Sequence, residues 1–242
     1  MKKIGVNMKK TLTMLSLCVL LVGCTNMKNW GPPVTWNYPV NGTFTGLDVS
    51  GPFEVMVGDM KGNVVVTVGE QAHNRVIVEV RNGKLHIGFK PHTQYNGTAT
   101  AVIPAAVLRD LDLSGAAKFS GGLNGENVEM DLSGASIFEG SVTAAKFSVD
   151  LSGASDAYIF GSCETNMKID LSGASTLEAF GLNTDAVSGD MSGASKAEVT
   201  CCSSLKVDLS GASNLIYGTL SDDCHPVVNC PCSGVSNVSP RP

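Results

Sequence analysis

Between Asp112 and Ser213 one hexapeptide is written six times: DLSGAA at Asp112, DLSGAS at Asp131, Asp150, Asp170 and Asp208, and DMSGAS at Asp190. The steps between copies are 19, 19, 20, 20 and 18 residues. A period near 20 in a glycine-rich, β-prone chain is the mark of a solenoid. Each unit is one turn that cannot bury its apolar face until its neighbours stack on it. A leucine-rich repeat needs several leucines in a fixed frame and an asparagine ladder, which these units lack. The residues entering the motif instead alternate, as in Val128, Met130, Leu132, in Phe147, Val149, Leu151, in Met167, Ile169, Leu171 and in Leu205, Val207, Leu209. Period two over five or six residues specifies a strand with one buried face. The alternation resumes after the glycine, at Phe119, at Phe138, at Ala157 with Ile159, and at Leu177 with Ala179. The expected fold is therefore all-β: a right-handed parallel β-helix, or β-solenoid, with coils of about 19–20 residues and at least two strands per coil joined at Ser-Gly-Ala.

Stacking in register turns every position of the repeat into a ladder along the axis, with rungs about 4.8 Å apart. Leu113, Leu132, Leu151, Leu171, Met191 and Leu209 are expected to form one internal spine. The glycines need either a positive φ or a close approach of neighbouring coils, and the alanine that follows suits a narrow interior corner. The same register places Asp112, Asp131, Asp150, Asp170, Asp190 and Asp208 in a column flanked by serines. Carboxylates at that spacing repel by about 1 kcal/mol per neighbouring pair in water-like dielectric. Three readings offset this cost. The column faces solvent and accepts hydrogen bonds from serine hydroxyls and corner amides; or calcium or another hard cation sits between coils; or the column is a recognition face for a glycan or a partner.

Residues 44–110 are β-rich without the 20-residue period. LDVSGPFEVMVG (Leu47–Gly58) reads as a first, degenerate coil, and Val64–Val68 and Val76–Val80 read as strands. RNGK at Arg81–Lys84 is a type I′ hairpin signal, so this part is expected to contain a β-hairpin cap over the first coil. Residues 111–238 hold the repeat coils. PCSGVSNV (Pro231–Val238) is a final worn copy, and 239–242 a tail in which Pro240 and Pro242 stop further pairing. The histidines His73, His86 and His92 have no ligand-like spacing. Late cysteines cluster at Cys201, Cys202, Cys224, Cys230 and Cys232, after Cys163. Cys201 or Cys202 falls at a similar place to Cys224 on the adjacent coil, within reach of a disulfide. Free thiols and a zinc site that also uses His225 are the alternatives, the latter without a clean C-x-x-C pair.

The chain opens with Lys2, Lys3, Lys9 and Lys10, an apolar run Leu12–Val22 too short for a permanent membrane helix, and LVGC ending at Cys24. That pattern predicts a signal peptide over 1–23, lipidation of Cys24 and a tether over 24–43 rich in Pro, Gly and Asn. Without the four leader lysines, 13 Lys+Arg face 22 Asp+Glu, a formal charge of −9 against −5 for the whole chain. An acidic surface argues against nucleic acid, and places membrane attachment in the lipid rather than in protein charge. The expected address is the cell envelope, as an outer-membrane lipoprotein with either face open.

The lipobox, LDVSGPFEVMVG, NVVVTV followed by RNGKLHI and VIPA, and the serial DLSGAS copies together resemble the head GIN domain family of auto-transporter adhesins common in Bacteroidetes. The resemblance runs from about Phe44 to Val238. It implies a β-helical envelope protein with an adhesive or carbohydrate-related role and no catalytic residues. The expected function is thus an adhesin or binding module that uses an extended solenoid face toward a glycan or protein, with no cofactor. The alternatives are a ligand-free spacer and a polysaccharide-degrading β-helix enzyme of the pectate lyase kind. The latter would need acids gathered beside a base in one groove, whereas Lys168 and Lys206 are scattered.

Overall fold

The computed structural model describes residues 29–60 and 62–241. The predicted signal peptide and Cys24 lie outside the described residues. The described chain is all-β apart from one 3-10 segment at Glu70–Arg75.

The head is built from β1 (Pro33–Pro39), β2 (Gly46–Ser50), β3 (Phe53–Gly58), β4 (Asn63–Gly69), β5 (Val76–Arg81), β6 (Lys84–Phe89) and β7 (Ala99–Pro104). β2 and β3 are two sides of one coil, and β6 and β7 are two sides of another stacked on it in parallel, with Leu85 opposite Leu47 and Ala101 opposite Val55. On its other side β2 pairs in parallel with β8 (Asp110–Ser114), and β3 pairs with the start of β9 (Lys118–Leu132). The coil at Leu47–Gly58 is therefore first in sequence but second in the stack. The chain leaves it, builds the cap, lays a coil above it and returns to continue below. The cap consists of antiparallel strands: β5 turns into β6 through Asn82 and Gly83, whose φ values of 51° and 76° make the two-residue turn the sequence specifies. β4 runs antiparallel to both β7 and β1. Antiparallel strands at this end break the register that a further parallel coil would follow.

Below the head, β9, β10 (Ile137–Leu151), β11 (Asp156–Leu171) and β12 (Thr176–Met191) are strands of 15 or 16 residues, each running from one Ser-Gly-Ala corner to the next in parallel register. Later coils split into β13 (Lys196–Thr200), β14 (Ser204–Leu209), β15 (Asn214–Gly218), β16 (Val227–Asn229) and β17 (Asn237–Pro240). The motif leucines form the expected internal spine: Leu132 lies between Leu113 and Leu151, and Leu171, Met191 and Leu209 continue it, all buried. A second ladder of Val55, Phe119, Phe138, Ala157, Leu177, Ala197 and Leu215 fills the opposite side of the corner. The Phe119 and Phe138 rings are 6.1 Å apart.

The corners explain why six letters recur. Each motif glycine has a positive φ, 74° at Gly153, and a Cβ there would come 2.6 Å from the Gly134 carbonyl oxygen on the coil before. Positive φ and close approach are both required, so no other residue fits. That closeness lets the next amide donate to the same carbonyl, as Ala154 does to Gly134 at 2.7 Å. The alanine does not fill the corner's interior; Ala135, Ala154 and their counterparts are exposed. The sixth residue turns inward instead: Ser136, Ser155, Ser175, Ser195 and Ser213 are buried, with Ala117 in that place in the first copy. A tight corner interrupts strict alternation, so three successive residues lie on the outside before the next turns in. Three of the buried hydroxyls bond within the corner, Ser136 Oγ donating to the Ser133 carbonyl at 2.9 Å, Ser155 Oγ to that of Ser152 at 2.9 Å and Ser213 Oγ to that of Ser210 at 3.0 Å, while Ser175 Oγ and Ser195 Oγ are buried without a partner among the described residues.

Candidate functional site

The aspartate column is present, and it is one residue longer than the motif implies. Asp112 pairs in register with Asp131, which pairs with Asp150, followed by Asp170, Asp190 and Asp208, while Asp48 of β2 stands above Asp112. The cap closes the head of the column with Lys84 and His86. His86 Nδ1 lies 2.8 Å from Asp48, and Lys84 Nζ reaches Asp110 at 2.8 Å and Asp112 at 2.5 Å. Lys84 crosses the register position of Gly46, where a Cβ would stand 2.9 Å from its Cε. Burial lowers the Lys84 pKa, but the bonds and charges of Asp110 and Asp112 outweigh it and hold the ammonium above its usual range.

Just beyond the lysine, burial and then the charges of Asp112, Asp150, Glu129 and Asp110 push Asp131 from 3.8 up to about 6. Asp150 is raised too, by burial and then Asp170, with Lys168 opposing. Among the described residues, none of the expected serine and corner-amide hydrogen bonds reaches these carboxylates. The corner amides donate to carbonyls of the coil before, and Ser152 Oγ points to the Leu132 carbonyl at 3.4 Å. Main-chain acceptors lie directly in the stacking direction, whereas the carboxylates project outward. Among the described residues no three His, Cys, Asp or Glu side chains converge as a metal ion would need.

Of the late cysteines, Cys202 and Cys224 form a disulfide with Cα atoms 4.6 Å apart, fastening the loop after β15 to the coil before it. This removes two of the candidate zinc ligands. Cys163, Cys201, Cys230 and Cys232 are free thiols. Burial, then Cys230 and Asp185, push the Cys201 thiol up to about 11, so it is an inert core residue.

A second surface, marked by no repeated motif, lies on the other side of the corner. The outward positions Ser120, Glu139, Tyr158, Glu178 and Glu198 stand in one register column across β9 to β13. Beside it runs Gly122, Ser141, Phe160 and Gly181. Glycines cut the floor: a Cβ on Gly140 would come 1.7 Å from the Gly121 carbonyl oxygen, so no side chain can rise there. The result is an open groove of about 710 Å³, walled by Tyr158, Phe160 and Phe180. Tyr158 is 39% and Phe160 58% exposed. Lys118 holds Glu139 at 2.8 Å and Lys196 holds Glu198 at 2.5 Å. Burial, with Asp156, Glu178 and Glu139, raises the Tyr158 phenol, so it remains a hydrogen-bond donor. The signal was in the sequence: AYIFG and EAFG place aromatics where the alternation calls for outward polar residues.

The family model described as "Putative auto-transporter adhesin, head GIN domain" matches residues 43–219. The chain belongs to the head GIN domain family. A search of curated proteins by sequence finds no match. Among solved structures, this GIN domain is similar to a "putative adhesin" from Bacteroides fragilis, with a TM-score of 0.73 and 17% identity over 87% of this chain and 97% of that one. It is also similar to a "putative adhesin" from Parabacteroides distasonis, with a TM-score of 0.62 and 21% identity over 87% and 98%. A "Putative lipid binding protein" from the same species gives a TM-score of 0.61 and 16% identity over 88% and 98%. At these identities the likeness is one of fold. The GIN family and these neighbours are described as adhesins or binding proteins, not as enzymes.

Proposed function

We propose that this GIN domain is the adhesive module of a lipid-anchored protein of the cell envelope, and that it engages its ligand through the glycine-floored aromatic groove on the side of the solenoid. The groove carries the reading. Exposed aromatic rings on rigid stacked strands are costly to leave against water unless something covers them, and a solenoid offers such a surface without loops that must order on binding. The family supports an adhesive role, and the basic, apolar and lipobox segments ending at Cys24 support the anchor. The two lysine-held carboxylates in the groove favour binding over proton transfer, because an ion-paired carboxylate is a poor general acid.

Two experiments test this. Palmitate labelling and fractionation of cells carrying the wild-type chain or Cys24→Ala should give a labelled envelope protein only for the former; a soluble, unlabelled wild type refutes the anchor. The mature protein on beads should adhere to at least one of mucin-type glycoprotein, matrix protein or bacterial cells. Absence of adhesion to all three refutes the adhesive role.

A further inference from the structure

We propose that the ligand of this groove is a neutral carbohydrate, a chain of hexopyranose rings lying along the solenoid axis; this rests on the adhesive reading above and names the ligand class. The charge balance comes first. Of the three carboxylates in the column, Glu139 and Glu198 are neutralised by Lys118 and Lys196. That leaves Glu178 alone without an ion pair among the described residues. A polycationic peptide would meet only two free charges, Glu178 and the neighbouring Asp156, and a polyanion would meet a net repulsive field. A polyhydroxylated neutral ligand uses what is present, since each lysine–glutamate pair offers a fixed donor beside a fixed acceptor, which suits adjacent hydroxyls.

The rings decide between a sugar and an acyl chain. Tyr158 stands in register between Glu139 and Glu178, so an aromatic face is bracketed on both sides by carboxylates. A sugar ring has an apolar face of C–H groups with hydroxyls around its rim, and it matches such a bracket; a fatty acyl chain would cover Glu178 without giving it a partner and would desolvate the Lys118–Glu139 pair. Phe160 continues the platform in the neighbouring column. The coils repeat about every 4.8 Å, so a chain laid along the axis meets a fresh set of polar groups at roughly each ring. Gly121 and Gly140 keep the floor open beneath it.

Titration calorimetry of the mature protein with gluco-, galacto- and manno-configured neutral oligosaccharides of increasing length provides the test. At least one series should bind, more tightly as the chain lengthens, and Tyr158→Ala or Phe160→Ala should weaken it at least tenfold while Tyr158→Trp retains it. Both positions are exposed, and unchanged thermal melts of the variants will show that the coil is intact. Three results overturn the inference: no neutral oligosaccharide binds, binding survives both alanine variants, or oligolysine or phosphatidylcholine vesicles bind at this groove instead. If the beads still adhere to a surface under any of these, only the ligand class falls; if the wild type adheres to nothing, the adhesive reading itself falls.

Discussion

Replacing Asp131 with Asn should stabilise this protein at neutral pH. Asp131 sits between Asp112 and Asp150 in the column, near Glu129 and Asp110, and its pKa is pushed from 3.8 to about 6. An acid whose folded pKa lies above its unfolded one favours folding when protonated. Its contribution is fully present below about pH 3.8 and is lost as pH rises through 6. The shift alone sets an upper bound of about 3 kcal/mol at pH 7, at about 1.4 kcal/mol per unit. The side chain is exposed, so solvent screening reduces this to about 1 kcal/mol. In a domain of this size that is an increase in Tm of about 2–4 °C for Asp131→Asn at pH 7. The gap should close by pH 4, and the part of it that comes from neighbouring charges rather than from burial should shrink in high salt, because those charges are partly exposed. Melts of both proteins at pH 7 and pH 4, in low and high salt and with and without a chelator, measure it. A variant that melts lower at pH 7 would show that the carboxylate accepts a bond or cation that stabilises the coil. A chelator that lowers only the wild-type Tm would assign that role to a metal.

The remaining expectations follow from the same geometry. Gly153→Ala forces a left-handed φ on an alanine and drives its Cβ against the Gly134 carbonyl, so we predict a loss of at least about 2 kcal/mol in denaturant melts, while Ala154→Gly next door costs less than half as much. Lys84→Met leaves Asp110 and Asp112 unneutralised at the head of the column and should destabilise the fold by about 1 kcal/mol at pH 7, an effect that fades on acidification as the carboxylates protonate. Cys224→Ser opens the bridge to Cys202 and should weaken the last coil by about 3 kcal/mol; hydrogen exchange should rise in β15 to β17 and stay unchanged in β9 to β11, and a uniform rise would refute a local role for the bridge.

The sequence by itself determined the repeating part of this molecule. A parallel solenoid is one-dimensional, so a regular period fixes which residues meet: the leucine spine, the aspartate column and the glycine stack all follow from counting to 20. The Asn82-Gly83 hairpin was legible for a similar reason, because its turn chemistry is local. What tertiary structure decided lies where that counting breaks. Stack order in the head depends on the chain returning past a coil already built, so the coil at Leu47 is interior although it comes first. Inside the corner, the left-handed glycine upsets alternation, and the alanine faces out while the serine faces in. The groups that close the column, Lys84 and His86, come from a strand that lies outside the 20-residue repeat. The groove required the glycine floor to sink beside Tyr158 and Phe160, because an outward aromatic becomes a binding wall only when the backbone next to it leaves room for a ligand.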